Sequence, residues 1–253
     1  MQFSTMRLGG VVLLAGFAFA ATPARAAFDS GLVNIDFNAG SPLSPTYSGA
    51  GVVGSTGDTW NSIGDTFYTG GSSATNTPLV YSDNTPSGVT FSYSTPDGFY
   101  DAGGNSNYAA SPYFNLLRDQ MVTNRYGTDG PATLSFGGLT PGGNYTLILY
   151  SGGSDAPGRD SQFTVGGVTQ DTIAGNSNTL VAGENYVSYN ATADAAGGLS
   201  FSFTSNSDGS FTNFDGDLSG IQLTPQAAPE PAALSLLALG SAGLLKRGRR
   251  KAR

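Results

Sequence analysis

The chain has 253 residues, of which 11% are charged, with no Cys and no His. That composition excludes a thiol nucleophile, a Ser-His-Asp triad and a Cys- or His-based zinc site. Residues 27–228 hold seventeen Asp and Glu against Arg118, Arg125 and Arg159, a net charge near −14, which speaks against nucleic acid as a partner and for a cation or a neutral glycan.

The first twenty-six residues combine Arg7, an apolar stretch from Leu8 to about Ala21, and Ala24-Arg25-Ala26. A charged start, a short apolar run and an A-x-A exit describe a secretory signal peptide (1–26) cleaved after Ala26, with Ala24 and Ala26 as the recognition pair. Export by the general secretory (Sec) machinery is therefore expected. An exported body without disulfides must be held by its own core, which about 200 residues can supply.

Residues 27–226 are expected to form one domain of β-strands. Candidate strands run at 32–37, 79–82, 89–94, 132–136, 145–150, 161–165, 180–189, 199–204 and 218–224. In VTFSYS (89–94), Val89, Phe91 and Tyr93 alternate with Thr90, Ser92 and Ser94; in LSFSFT (199–204), Leu199, Phe201 and Phe203 alternate with Ser200, Ser202 and Thr204. Such period-two runs predict strands with one wet face. Residues 40–77, rich in Gly, Ser and Thr, read as long loops with one or two strands. YFNLLRDQMV (113–122) reads as the one helix. Turns such as TPGGN (140–144) supply Gly and Pro where the backbone needs them. The expected fold is an all-β, antiparallel sandwich of jelly-roll type with one short helix.

The segment 227–253 has a different character. Pro229-Glu230-Pro231 is followed by the uncharged run 232–245 and then by Lys246, Arg247, Arg249, Arg250, Lys251 and Arg253, six of the chain's eleven basic residues. As a helix the apolar run reaches roughly 21 Å, short of a hydrocarbon core of roughly 30 Å. The basic cluster would halt export on the cytoplasmic side, leaving the body outside and the chain held transiently at the inner membrane. A plain tail anchor is the alternative, but it leaves the Pro-flanked Glu230 unexplained. The three-part order resembles the PEP-CTERM sorting signal of exported Gram-negative bacterial proteins. That resemblance implies processing near Pro229-Glu230-Pro231 by an exosortase, a membrane-embedded cysteine protease, and delivery to the cell surface or an extracellular, biofilm-type matrix.

In the body, NLLRDQM, LSFGGLTPGGNYTLILYS, QFTVGG and DLSGIQL, between residues 113 and 224, resemble galactose-binding or malectin-like sandwiches. The resemblance implies contact with exopolysaccharide and a structural calcium. Aromatic residues among polar loops are the natural platforms for sugar faces, which makes Trp60, Tyr68, Tyr100, Tyr108 and Tyr126 the candidate glycan-binding residues. For calcium the candidates are Asp208, Asp215 and Asp217 in the polar stretch 206–217, although the spacing is not that of an EF-hand. GAGVVG (49–54) fits a dinucleotide fingerprint in letters but lacks the flanking strand and helix. The carboxylate pairs Asp58/Asp65, Asp97/Asp101 and Asp215/Asp217 sit in turn-forming contexts, so no catalytic residue is assigned. The expected function is a non-catalytic surface or matrix protein contacting exopolysaccharide, with a polysaccharide hydrolase or lyase, or a spacer module, as the alternatives.

Overall fold

Val33, Ile35 and Phe37 alternate with Asn34, Asp36 and Asn38 along β1 (Val33–Ala39), yet all seven residues are buried. Polar residues on the second face of a strand can be buried when something covers that face and meets their hydrogen bonds. The computed structural model, which describes residues 31–66, 70–103, 108–123, 130–152, 159–173, 178–206 and 215–227, shows what covers it.

After β1 come β2 (Asn61–Asp65), β3 (Ser72–Val80), β4 (Pro86–Thr95), β5 (Gly98–Asp101), a single helical turn α1 (Phe114–Leu117) and β6 (Asp119–Thr123). Then follow β7 (Ala132–Gly137), β8 (Asn144–Tyr150), β9 (Ser161–Val165), β10 (Val168–Thr172), β11 (Tyr186–Thr192), β12 (Leu199–Ser205), β13 (Gly216–Leu218) and β14 (Gly220–Pro225). They form a five-stranded sheet in the order β11-β8-β14-β1-β2, a six-stranded sheet β10-β9-β12-β7-β4-β3 and a three-stranded sheet β13-β6-β5. The β1–β2 pair is parallel; the other strand pairs are antiparallel.

The two large sheets face each other across one core, so the chain is a β-sandwich. The five-stranded sheet contributes Val33, Ile35, Phe37, Leu147, Leu149, Val187, Ile221 and Leu223 to that core, and the six-stranded sheet contributes Phe91, Leu134, Phe136, Phe163, Phe201 and Phe203. The Phe91 and Phe136 ring centroids lie 5.1 Å apart and those of Phe163 and Phe203 5.9 Å apart. Such aromatic packing carries much of the apolar stabilisation in a sandwich this size.

A second apolar layer, built from Tyr47, Trp60, Tyr108, Leu116, Leu117, Ile148 and Tyr150, lies on the outer side of the five-stranded sheet. The chain between β1 and β2 is laid across that side as a strap. Within it the Val52 amide donates to Tyr150 Oη (2.7 Å), and Gln222 Nε2 donates to the Val53 carbonyl (3.0 Å). The Tyr47 amide donates to Asp36 Oδ2 at 2.7 Å. GAGVVG is thus a loop, as residues 40–77 were expected to be, and it is packed as part of the strap.

Residues 113–122 correct the sequence reading. The helix ends at Leu117, and residues 119–123 are strand β6, paired on one side with β5 and on the other with β13. All five residues of β6 are buried, which erases the alternation that marks a strand in sequence. Strand β11 starts at Tyr186, because Asn185 folds residues 179–185 into a turn by bonding the Thr179 carbonyl and the Val181 amide. The signal peptide, with Ala24 and Ala26, and the sorting segment from residue 228 onward lie outside the described residues. Among the described residues no helix is long and apolar enough to cross a membrane.

The parallel pairing of β1 with β2 depends on Gly64, where a Cβ would collide with the backbone carbonyl of Asn38. Gly64→Ala is expected to cost about 1–3 kcal/mol, as overpacking does. A fall in the urea midpoint at unchanged slope would be the signature; an unshifted midpoint would mean that the β1–β2 contact relaxes freely.

Candidate functional site

Among the described residues, those named from the sequence fall into two places: Trp60 and Tyr108 in the outer apolar layer, and Tyr100 and Asp215 against Arg159. Trp60 is 5% exposed; its indole donates from Nε1 to the Gly49 carbonyl at 2.9 Å and packs edge-on against Tyr47, centroids 5.2 Å apart. Tyr108 is fully buried in the same layer. Both are structural parts of the outer core, which corrects their reading as sugar platforms: neither presents a ring face to solvent. Tyr100 is partly exposed, but its ring faces Arg159, whose guanidinium carbon lies 5.1 Å from the centroid. Tyr68 and Tyr126 lie outside the described residues.

The calcium candidates fare similarly. Asp215 faces Arg159 Nη1 at 3.5 Å, so a guanidinium supplies its counter-charge, and Asp217 is fully buried on β13. Asp208 lies outside the described residues, and among those described no three acidic side chains converge as metal ligands. The other paired carboxylates serve local structure. Asp58 accepts the Ser55 amide at 2.9 Å, and Asp65 accepts the Ser72 hydroxyl at 2.7 Å.

One buried polar cluster was not visible in the sequence, because it joins β1, the strap, β5 and β6. Arg118 grips Asp101 with two hydrogen bonds, Nε to Oδ1 at 2.9 Å and Nη2 to Oδ2 at 2.5 Å. Asp119 accepts the Ser44 hydroxyl, and Asn38 Nδ2 reaches both Asp36 Oδ2 at 3.1 Å and Ser44 Oγ at 3.4 Å. Burial pushes Asp36 up to about 8 from its ordinary 3.8, against the Tyr47 amide and the Asn38 side chain. Burial also pushes Asp119 up to about 8, helped by its hydrogen bond to Asp101. Asp101 is partly buried, and the Arg118 bonds hold it below the usual carboxylate range. Burial thus favours the protonated form of Asp36 and Asp119, while Arg118 favours the ionised form of Asp101. The cluster is enclosed, and it ties the strap to the sandwich.

The outer face of the six-stranded sheet is different: open, covered with hydroxyls, and charged only at the β10 edge, where Asp171 lies beside Thr169. Strand registers align Thr169, Thr164, Ser202, Thr133, Ser94 and Ser73 in one row, one residue from each strand. Ser200, Ser135 and Ser92 form a second row beside it. These are the polar halves of alternating strands whose other halves, such as Phe91, Phe136, Phe163 and Phe201, fill the core. Thr164 and Thr169 share a hydrogen bond of 3.1 Å between their hydroxyls, and Ser92 Oγ accepts the Asn76 amide at 2.8 Å. Across this face runs an open groove of about 560 Å³ whose lining includes Thr75, Ser94, Thr133, Ser135, Thr164 and Ser202. Each hydroxyl can donate one hydrogen bond and accept two.

No family model and no curated protein matches the chain. Among solved structures it is similar to the complex of the plant peptide RALF23 with FER and LLG2, at 14% identity over 78% of this chain and 40% of that one, TM-score 0.36. It is similar to the plant receptor-like kinase ANX2 at 14% identity over 46% of this chain and 35% of that one, TM-score 0.33. A calcium-binding mutant of Bacteroides uniformis beta-glucuronidase 2 is similar at 15% identity over 79% of this chain and 18% of that one, TM-score 0.33. The chain thus spans two fifths or less of each of these chains.

The buried cluster has a measurable consequence. With Asp36 and Asp119 raised from 3.8 to about 8, the folded protein holds protons that the unfolded chain releases. Stability therefore falls as pH rises between those two values. Asp36→Asn stays neutral at every pH and keeps an acceptor for the Tyr47 amide. Its urea stability should fall less steeply than that of the parent between about pH 5 and about pH 7.5. Identical slopes would mean that Asp36 is already ionised in the folded protein.

Proposed function

We propose that the protein is an exported, non-catalytic β-sandwich that contacts a neutral polysaccharide of the cell surface or extracellular matrix. The observation that carries this reading is the hydroxyl-covered outer face of the six-stranded sheet, with an open groove that no charged side chain lines. Ser and Thr match sugar hydroxyls as both donors and acceptors. The residues that line the groove hold no carboxylate, so what they supply is hydrogen bonding rather than acid–base chemistry. The acidic body as a whole repels anionic polymers, leaving neutral chains as the favoured ligand.

Delivery follows from the two ends of the chain. The amino-terminal segment directs Sec export; the carboxy-terminal segment holds the body at the periplasmic side of the inner membrane until an exosortase-type protease acts at Pro229-Glu230-Pro231. That sequence of events places the folded body where polysaccharide is found.

Two measurements test these two halves separately. Ser202→Glu puts a charge in the middle of the hydroxyl face and should weaken retention on a neutral polysaccharide column about tenfold, roughly 1.4 kcal/mol. Release of reducing ends by the unaltered protein would instead make it a hydrolase, and indifference of the column to both proteins would leave a spacer. For the sorting half, Glu230→Ala should accumulate unprocessed in the inner membrane; normal maturation of that variant would rule out recognition through the motif.

A further inference from the structure

We infer that the ligand of the hydroxyl face is a linear, uncharged polysaccharide lying across the strands, about one sugar unit per strand, and bound by internal segments rather than chain ends. This rests on the glycan-contact reading above and specifies the polymer and its direction.

The argument is one of spacing. Neighbouring strands lie about 4.7–4.9 Å apart, close to the length of one pyranose unit in an extended chain, whereas successive outward residues along a strand are about 6.8 Å apart. The row Thr169, Thr164, Ser202, Thr133, Ser94, Ser73 places one hydroxyl on each of six consecutive strands. Its five gaps extend roughly 24 Å, the reach of about five or six sugar units.

A track along a strand is poorer. On β7 the outward positions are Thr133, Ser135 and then Gly137, which has no side chain. On β9 they are Gln162 and Thr164, after which the chain turns at Gly166 and Gly167. The longest runs along a strand, Thr90, Ser92 and Ser94 on β4 and Ser200, Ser202 and Thr204 on β12, hold three hydroxyls each, so the crosswise row of six is the longest series of like donors and acceptors on this face. The parallel row Ser200, Ser135 and Ser92 adds hydroxyls for the other edge of the central rings.

Both ends of the long row are open. Ser73 lies on β3 and Thr169 on β10, the two edge strands of the sheet, and both residues are exposed. Nothing along the row demands a reducing or non-reducing terminus, so the polymer can run past either edge. Strand twist rotates each step by about 20–25°, so the bound chain must follow a twisted ribbon. A chain with rotatable glycosidic linkages can do so; a rigid crystalline surface cannot. Short side chains lose little rotamer freedom on contact, which suits many weak, additive bonds rather than one anchoring pocket.

The test uses linear neutral glucan oligosaccharides, β-1,3- and β-1,4-linked, titrated calorimetrically against the purified full-length chain. Affinity should climb with length up to about six units and then level off. The double variant Ser73→Glu/Thr169→Glu, altered at the two ends of the row, should bind the six-unit chain about tenfold more weakly and the three-unit chain unchanged. Affinity that levels off at about three units, with the end variant silent and Ser135→Glu damaging, would put the chain along the strands and overturn this inference while sparing the glycan reading. Failure of every neutral oligosaccharide and of polymeric glucan to bind would overturn the glycan reading itself. All the altered positions lie on the solvent-facing side of the sheet, and a thermal melt matching the parent confirms that each variant is folded.

Discussion

Gln222 makes every hydrogen bond open to an amide side chain, and the organisation of the molecule follows from it. Its Oε1 accepts from Tyr150 Oη at 2.5 Å and from the Val53 amide at 3.2 Å; its Nε2 donates to Asn34 Oδ1 at 2.8 Å and to the Val53 carbonyl at 3.0 Å. Three strands of the five-stranded sheet and the strap are thereby joined at one buried point. Burial pushes the Tyr150 hydroxyl well above its ordinary range, so it remains a donor at any ordinary pH. A buried polar network satisfied this completely fixes one arrangement of the strap, because any other leaves amide groups unpaired at about 1–3 kcal/mol each.

The strap's position decides which surface can meet a ligand. It closes the outer side of the five-stranded sheet with Tyr47, Val52, Val53 and Trp60, and so converts that side into interior. The six-stranded sheet has no comparable cover among the described residues, and its outer face is left as an extended regular surface. Hydroxyls there satisfy two demands at once. They keep the face wet, so it is not an apolar patch, and they leave its centre without charge, away from Asp171 at the β10 edge.

Strands were legible where apolar and polar residues alternate in the sequence, even on β1, which is buried on both faces, and not where a short buried strand lacks that alternation. Strands β4 and β12 were legible because Phe91 and Phe201 alternate with polar residues, and β8 as an apolar run with Tyr145, Leu147 and Leu149 on one face. Strands β5, β6 and β13 were not: β6 and β13 are buried throughout, and β5 has four residues. Asp119-Gln120-Met121-Val122 follows a true helical turn, and nothing local separates the two. Trp60 illustrates the converse failure. Its polar flanks, Asp58, Thr59 and Asn61, imply exposure, but they bond within the strap and to β1, and the indole turns inward. The hydroxyls of the candidate site were legible one strand at a time. Their assembly into rows was not, since a single residue of register slip would turn each set to the opposite face, and register is set by pairing partners far away in the chain.

Register is also what gives the hydroxyl face meaning beyond wetness. A soluble sheet face needs polar residues; it does not need like residues aligned across every strand. Along the row from Ser73 to Thr169 there is no Lys, Glu, Asn or Gln, although such residues are ordinary choices for an exposed strand position. Edge strands in particular gain from charge, which blocks unwanted pairing; β10 has it in Asp171, while the row itself ends on hydroxyls at Ser73 and Thr169. Protection of the β10 side comes also from contact with the other sheet, where Gln170 Nε2 caps the Ser188 carbonyl at 2.9 Å. The row's hydroxyls thus continue to both limits of the sheet, with Asp171 beside its β10 end, an arrangement that suits a long neutral chain better than a compact ligand.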